Sequence, residues 1–306
     1  MIEMFEKYEK SGQILAKTLE YAESIIKPGT KLLDIAEKTE EYIRRHSATP
    51  AFPLNISINE IAAHYSPTIE DKSVIPEKCI VKIDGGVSVE GYLTDAARTI
   101  IFDEKWQPMK DLARKALNNA LDVVKANGSV FRVGEIIQKT IEKDGYKPIV
   151  NLSGHSLSHY SLHDGISIPN YGVSKEARDS SHVFKAGHAY AIEPFVTSGI
   201  GRVVDKEQEV IFRHYRQIDA STLPSQFREI YSYIDENLHG LPFSWRWVYN
   251  AGFSKEKIHK TKSELLRRRI IHGYPVLVEA TDSPVTQEEE TIYINEEKIT
   301  ILTKRK

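Results

Sequence analysis

The sequence of 306 residues predicts an α+β fold built on antiparallel sheet. Three observations predict it: pairs of helices alternate with groups of strands, the strands come as hairpins, and a block of helices precedes the last strands. Strands joined as hairpins form antiparallel sheet, whereas lone strands that alternate with helices form parallel sheet. The repeated order of two helices followed by strands also suggests two similar halves.

Apolar residues at helical spacing predict a first helix over residues 3–27. This helix ends before Pro28 and Gly29, because neither residue continues a helix. The other elements predicted in this half are a helix at 31–46, an extended segment at 47–59, and strands at 79–84 and 92–102.

The second half begins with helices predicted at about 107–126 and 132–144, followed by the extended runs "PIVNL", "ISIPNYG" and "AYAIEPFVT". Three helical patterns then follow one another between about residues 207 and 274, and extended runs return after them. Helices placed between strands of one sheet indicate an insertion. The predicted division is therefore a parent domain, residues 1–206 plus 275–306, with a helical insertion at 207–274 that packs on it.

Composition limits the class of function. The formal net charge of −2 provides no overall field that would attract nucleic acid or acidic membranes. No apolar stretch approaches the roughly 20 residues of a membrane-spanning helix, and the first residues are too charged for a signal peptide. Cys79, the only cysteine, excludes intramolecular disulfides and favours a cytoplasmic location. It starts the apolar run "CIVKI", which predicts a buried core residue rather than a nucleophile.

The hairpin "IDGGVSVEGYLTDAART" carries one aspartate in each predicted strand. If its loop is Ser88–Gly91, the ladder places Asp84 directly opposite Asp95. Two carboxylates in that arrangement repel each other unless a cation lies between them. The alternative is a different loop length, with both aspartates solvated or capping a turn.

Three other segments carry candidate metal ligands. "NLSGHSLSHYSLHDG" contains His155, His159 and His163, but the helical zinc motif needs a glutamate after its first histidine, where Ser156 stands here. An extended segment is predicted instead, and the alternative for each histidine is a hydrogen-bonded structural role. Glu193 interrupts an apolar strand, and buried glutamates are rare unless they are paired or bind a metal.

The third segment, "PVTQEEETIYI", carries three consecutive glutamates in a predicted strand. Strand alternation directs Glu289 to one face and its neighbours Glu288 and Glu290 to the other. The alternative is a solvated strand edge.

The order of these motifs resembles the methionine aminopeptidases of the pita-bread (creatinase/aminopeptidase) fold: an aspartate, a second one eleven residues later, "GH", "IEPF", and a glutamate in a "Q-x-E" strand. The segment "TPAFPLNISINEIAAHYSP" is similar to the substrate-side segment of that family. The block 207–274 resembles the helical, winged-helix-like insertion that separates its type II from its type I enzymes. The chain lacks the long polybasic extension of eukaryotic type II enzymes and is more similar to the archaeal form.

The resemblance implies a hydrolase that removes the N-terminal methionine from nascent proteins with two divalent ions, Co, Mn, Fe or Zn. By that resemblance Asp84 would hold one ion with both oxygens, Asp95 and Glu289 would bridge the two ions, and His155 and Glu193 would complete the ligands of the second ion. A water between the ions, with a lowered pKa, would attack the first peptide bond.

The resemblance also implies roles for residues around the metals. Glu193 would accept the proton of the water, His163 would contact the scissile carbonyl or the intermediate, and His64 the adjacent peptide. The apolar pocket for methionine would be formed by Phe52, Phe195 and Leu162. The sequence departs from the common family pattern Q-F-E-H-T at Glu288 and Glu290, which are expected to point away from the metals.

Two other functions stay open. One is an Xaa-Pro aminopeptidase or prolidase of the same fold, although those enzymes usually carry a large N-terminal domain where this chain has about 45 residues. The other is a non-catalytic ribosome- or RNA-binding protein, because residues 254–272 hold seven Lys/Arg against two Glu. A ribosome contact through 254–272 is also compatible with the enzyme, and the alternative for this segment is a solvated helix face. A monomer is expected.

Overall fold

The computed structural model of the chain describes residues 2–296 and 298–305. Its helices are α1 (Ile2–Ile25), α2 (Leu32–Arg45), α3 (Gln107–Leu121), α4 (Val130–Glu142), α5 (Ser225–Leu238), α6 (Trp245–Asn250) and α7 (Lys255–Arg267). Its strands are β1 (Thr49–Pro50), β2 (Asn55–Ile58), β3 (Ile61–Ala63), β4 (Ile80–Val89), β5 (Tyr92–Ile101), β6 (Lys147–Pro148), β7 (Ser153–Leu157), β8 (Ser167–Pro169), β9 (His188–Ile192), β10 (Phe195–Thr197), β11 (Val203–His214), β12 (Ile271–Glu279), β13 (Val285–Gln287), β14 (Glu290–Ile294) and β15 (Ile299–Ile301).

The strands form antiparallel sheets with helices packed on them, which confirms the predicted fold class. One sheet has the order β1-β4-β2 with β5 beside β4, and another has the order β15-β14-β9-β7-β8. Helices α1 and α2 pack on the first sheet, where Leu15, Leu19 and Ile83 are buried together. Helices α3 and α4 form a second core, which includes Met109 and Ile137, with the other sheet.

Helix boundaries agree with the prediction to within a few residues. Helix α3 ends at Leu121 rather than 126, because residues 122–129 form turns in which Asn127 has a φ of 60°. The largest difference is at α7, whose predicted pattern continued to residue 273 but which ends at Arg267, because β12 begins at Ile271. Helix α4 begins two residues before the predicted start, where the Ser129 hydroxyl accepts a hydrogen bond from the backbone N–H of Phe131. This serine is an N-cap and so explains the earlier start.

The β4–β5 hairpin has a shorter loop than the sequence suggested. Val89 pairs with Tyr92 across a two-residue turn, in which Glu90 and Gly91 have φ of 52° and 84°. The predicted four-residue loop is therefore wrong, and Asp95 lies opposite Gly86 rather than Asp84. An offset of two residues preserves strand alternation, so the aspartates still share one face as diagonal neighbours.

Substitution of Gly91 by alanine is expected to destabilise this turn. The added Cβ would lie 2.5 Å from both His159 Nε2 and Tyr160 Cε2, at a positive φ. A matched control is Gly187→Ala, which has a φ of 81° but no heavy atom within 4 Å among the described residues. We expect the control to lose about 1 kcal/mol of unfolding free energy, and G91A roughly 2–4 kcal/mol, in urea titrations. Equal losses would contradict this account of the turn.

Helices α5 to α7 lie between β11 and β12, which pair with each other from Val203↔Glu279 to His214↔Ile271. These helices share a core of their own, which includes Phe212, Ile230 and Leu265. The strands of the pair extend through the predicted boundaries at 207 and 274, and the division into a parent domain and an insertion stays a prediction.

A buried ion pair joins the three-helix block to the first half of the chain. Glu40 of α2 accepts hydrogen bonds of 2.7 and 2.8 Å from the Arg246 guanidinium and one of 2.6 Å from Trp247 Nε1. Arg246 also donates to the carbonyl oxygen of Pro67, and Glu40 accepts from the backbone N–H of Leu54. The pair therefore ties helix α6 to two segments that lead into the site described below.

The structure tests two predictions made from composition, the burial of Cys79 and the lack of a membrane-spanning helix. Cys79 is a free, buried cysteine, as the apolar run predicted. Among the helices that the structure describes, none combines the length and the hydrophobicity needed to cross a membrane.

Candidate metal centre and active site

The ten residues predicted for the site all line one cavity of about 360 Å³. The five predicted metal ligands come from both halves of the chain. Asp84 and Asp95 lie on β4 and β5, His155 on β7, Glu193 directly after β9, and Glu289 between β13 and β14. The sheets therefore bring together side chains that are up to about 200 positions apart in the sequence.

The tightest part of the cluster is formed by three buried residues. One ligand atom from each of Asp95, His155 and Glu289 can be chosen so that the three atoms lie within 4.8 Å of one another. His155 Nε2 lies 3.5 Å from Asp95 Oδ2. This spacing is compatible with simultaneous contact to one cation.

Gln287 lies beside the other two carboxylates, and sequence reasoning did not predict it as a site residue. Its side-chain nitrogen is 3.5 Å from Asp84 Oδ2, 3.4 Å from Glu193 Oε2 and 3.5 Å from Glu289 Oε2. These separations are long for hydrogen bonds, so one amide cannot compensate three carboxylates. The sequence feature that could have identified Gln287 as a site residue is its position as the glutamine of the "Q-x-E" pattern.

Burial dominates the electrostatics of the cluster. It raises the pKa of Asp95 to about 7. It also raises the pKa values of Asp84, Glu193 and Glu289 well above their usual range, and the charges of neighbouring carboxylates raise these three further. Burial lowers the pKa of His155 to about 4, so its imidazole is neutral near pH 7. By itself the cluster therefore favours protonated carboxyl groups, and binding of a metal would displace protons.

The donor set fits divalent cations. Asp84 Oδ1, Asp95 Oδ1 and Glu289 Oε1 are buried and have no hydrogen-bond partner among the described residues. Buried polar atoms without partners are costly, and a cation would satisfy them. Carboxylate oxygens together with a neutral imidazole suit ions such as Mn²⁺, Fe²⁺, Co²⁺ or Zn²⁺.

Glu288 and Glu290 point to the opposite face of the strand, where two arginines neutralise them. Arg114 pairs with both glutamates, and Arg98 lies 2.9 Å from Glu290 Oε1. Arg98 also donates a 2.7 Å hydrogen bond to the carbonyl oxygen of Glu289. Both glutamates are buried, so the solvated-edge alternative is wrong, and the extra acids support the connection between β13 and β14 that carries Glu289.

The predicted histidines occupy different positions. His64 has a φ of 65°, a strained backbone conformation for a residue with a side chain, and its Nδ1 lies 3.2 Å from the carbonyl oxygen of Pro275. His163 is exposed at the rim, with its ring centroid 4.3 Å from that of His155. His159 does not line the cavity. Its Nε2 lies 3.0 Å from the carbonyl oxygen of Glu90, as expected for a hydrogen-bonded structural role.

The apolar wall combines predicted and unpredicted residues. Phe52 and Phe195 are buried and Leu162 is half-buried. Sequence reasoning missed the other lining residues, among them Asn55, Ala63, Asn151, Ile211, Pro242, Tyr274 and Leu277. Ile211, Tyr274 and Leu277 lie on β11 and β12. The segments "GLPFSWRW" and "HGYPVL", which contain Pro242, Tyr274 and Leu277, also resemble the family, but that resemblance did not assign these residues to the site.

Comparison with known proteins identifies the family of this chain. The sequence model of Metallopeptidase family M24 matches residues 6–214. The chain belongs to metallopeptidase family M24. Two M24 relatives, both named methionine aminopeptidase, come from Thermococcus onnurineus and Methanothermobacter thermautotrophicus. The Thermococcus protein is 40% identical over 295 residues, which cover 96% of this chain and 97% of the relative. The Methanothermobacter protein is 36% identical over 306 residues, which cover 99% of this chain and 100% of the relative.

A solved structure extends the comparison. The crystal structure of methionine aminopeptidase from Thermotoga maritima superposes with a TM-score of 0.70 at 25% identity, covering 100% of this chain and 98% of that one. The predicted family and the predicted pita-bread fold of these M24 enzymes are therefore confirmed.

Proposed function

We propose that this chain removes the N-terminal methionine from polypeptides by hydrolysing their first peptide bond. The observation that carries the proposal is the buried cluster of four carboxylates and one imidazole within an apolar-walled cavity. The names and near-complete coverage of the M24 relatives support the same activity.

Asp84, Asp95, His155, Glu193 and Glu289 would hold two divalent ions. When bound, such ions supply a nucleophilic water of lowered pKa and polarise the peptide carbonyl. The apolar side chains of Phe52, Phe195 and Leu162 would surround the methionine side chain. The free α-amine of the substrate could bind one of the ions, which would restrict the substrate to a chain terminus.

Glu193 is suited to accept a proton, because burial raises its pKa and makes the carboxylate more basic. His64 is suited to accept a hydrogen bond from a substrate amide. A carbonyl oxygen only accepts, so the contact with Pro275 places the proton on His64 Nδ1 and leaves Nε2 as an acceptor in the neutral ring. Burial lowers the pKa of His64, which favours that neutral form. His163, at the rim, would contact the scissile carbonyl.

The direct test measures methionine released from the peptide Met-Ala-Ser before and after chelation. We expect activity to fall by more than about 100-fold on chelation and to return when Mn²⁺ or Co²⁺ is added back. Hydrolysis of Xaa-Pro peptides without release of methionine would instead favour the prolidase alternative. A protein that retains no metal after dialysis against micromolar Mn²⁺ would favour the non-catalytic alternative.

We further infer that any ribosome contact through 254–272 is weak. Five of the seven basic residues in this segment are paired with acids of the chain: Lys255, Lys257, Lys260, Arg267 and Arg268. Such pairs favour the solvated-face alternative, since Glu70 and Glu229 from outside the segment and its own two glutamates offset part of its positive charge. Salt-sensitive co-sedimentation with ribosomes, lost when Arg267–Arg269 are reversed to glutamate, would contradict this inference. The monomeric state and the cytoplasmic location stay predictions.

A further inference from the structure

A second cavity, of about 410 Å³, adjoins the catalytic one between α2, β1, α5 and α6. Three segments of the chain contribute to both cavities. Phe52, Leu162 and Pro242 line the catalytic cavity, and their near neighbours Pro50, Tyr160 and Leu241 line the second one. The two residues of each pair are one or two positions apart in the chain, and consecutive Cα atoms are about 3.8 Å apart. The linings of the two cavities are therefore close to each other at three points. This proximity would let a chain that leaves the catalytic cavity on this side continue into the second one.

The border between the cavities has an unusual backbone. Tyr160 and His239 both have left-handed conformations, with φ of 53° and 51°, and their ring centroids lie 4.7 Å apart. The backbone N–H of Tyr160 donates a 2.8 Å hydrogen bond to the carbonyl oxygen of Gly91. Such conformations in residues with side chains are costly and cluster at functional sites. Tyr160 lies three positions before His163 of the catalytic cavity, and the His239 ring packs against the Tyr160 ring.

The lining of the second cavity suits a polypeptide of variable sequence. Tyr233 and Trp247 contribute aromatic surface, whereas Arg44 and Asn237 contribute polar groups. Aromatic faces provide contact area without sequence preference, and amide and guanidinium groups can bind peptide carbonyls.

Strand β1 adds one main-chain acceptor to this lining. It lies at the edge of its sheet and pairs only with β4 among the described strands. The backbone N–H of Ala51 donates to the carbonyl oxygen of Gly86, so strand alternation directs the carbonyl oxygen of Pro50 away from β4. Proline has no backbone N–H, so this side can accept a hydrogen bond from a peptide but cannot donate one.

We propose that this second cavity binds the part of the polypeptide substrate downstream of the scissile bond. The inference rests on the proposed function, since it assumes that the substrate amine lies at the buried metal cluster. From there the chain passes His64 and His163 at the wall and rim and continues across the Tyr160–His239 border. Contacts in the second cavity would then hold substrates longer than a few residues without selecting their sequence.

The experiment compares kcat/KM for Met-Ala-Ser with that for a nonapeptide that begins with the same three residues. In the unaltered protein we expect the nonapeptide to be favoured about tenfold, mainly through KM. Ala251→Trp fills the second cavity from its exposed rim at the end of α6, and Arg44→Ala removes a polar group from an exposed side chain. Ala251→Trp should reduce the ratio to about one and Arg44→Ala should reduce it partly.

The matched control is His259→Trp, which places the same bulk at an exposed position of α7 in a different cavity. We expect this control to keep the tenfold ratio. A ratio near one in the unaltered protein, or a ratio that both cavity variants leave unchanged, would overturn the inference. Failure to release methionine even from Met-Ala-Ser would instead overturn the proposed function, so the two failures are distinguishable.

Discussion

Asp95→Asn is expected to abolish methionine release, with a loss of more than about 100-fold in kcat/KM. Altering groups that only support metal ligands costs about 10–100-fold in metal affinity or activity, and Asp95 belongs to the tightest part of the cluster itself. Asparagine has nearly the same shape as aspartate, so the loss would reflect charge and ligand character rather than packing. Methionine release is measured on Met-Ala-Ser with added Mn²⁺.

The same variant should separate metal binding from folding. Burial raises the pKa of Asp95 to about 7, so the carboxylate is unfavourable in the metal-free protein, and a neutral amide removes that cost. We expect the metal-free D95N protein to melt at or above the temperature of the unaltered protein. The rise in melting temperature on adding Mn²⁺ should disappear, because stabilisation by a ligand requires binding to the native state.

Asp144→Asn is the matched control, since Asp144 is exposed and its charge pair with Lys115 lies at 3.6 Å on the surface. This control should keep both the activity and the metal-dependent rise in melting temperature. If D95N retains methionine release within about tenfold, the assignment of Asp95 as a metal ligand is wrong.

Glu40→Ala is expected to cause the largest loss of stability, about 3–5 kcal/mol. The side chains of Glu40 and Arg246 are 1% and 0% exposed, so removal of the carboxylate leaves a buried guanidinium without its counter-charge. Trp247 Nε1 and the backbone N–H of Leu54 lose their acceptor as well. Chemical denaturation with urea measures the change.

Two comparisons make the Glu40 result specific. Glu41→Ala breaks a surface pair with Arg45 in the same helix and should cost less than about 1 kcal/mol. The double variant E40L/R246M removes both charges and should recover the part of the loss that comes from the unpaired guanidinium, whereas Trp247 Nε1 and the backbone N–H of Leu54 still lack their acceptor. Equal losses in E40A and E41A would contradict the buried ion pair.

Periodicity predicted the elements well, because it reports which face of a helix or strand is buried. The seven predicted helices are present among the described residues, and the antiparallel pairing is confirmed. The loop of the β4–β5 hairpin was missed because its register depends on Glu90 adopting a positive φ. Glycine marks such a conformation in a sequence, but glutamate does not.

The sequence alone determined the fold class, and its order of motifs predicted the site residues through the resemblance to a known family. Only the tertiary structure decided that β11 and β12 contribute Ile211 and Tyr274 to the cavity, and that Arg98 and Arg114 neutralise the glutamates beside Glu289. The physical reason is that a local pattern records which side of an element is buried. Its partners across the sheet depend on the packing of segments that are distant in the chain.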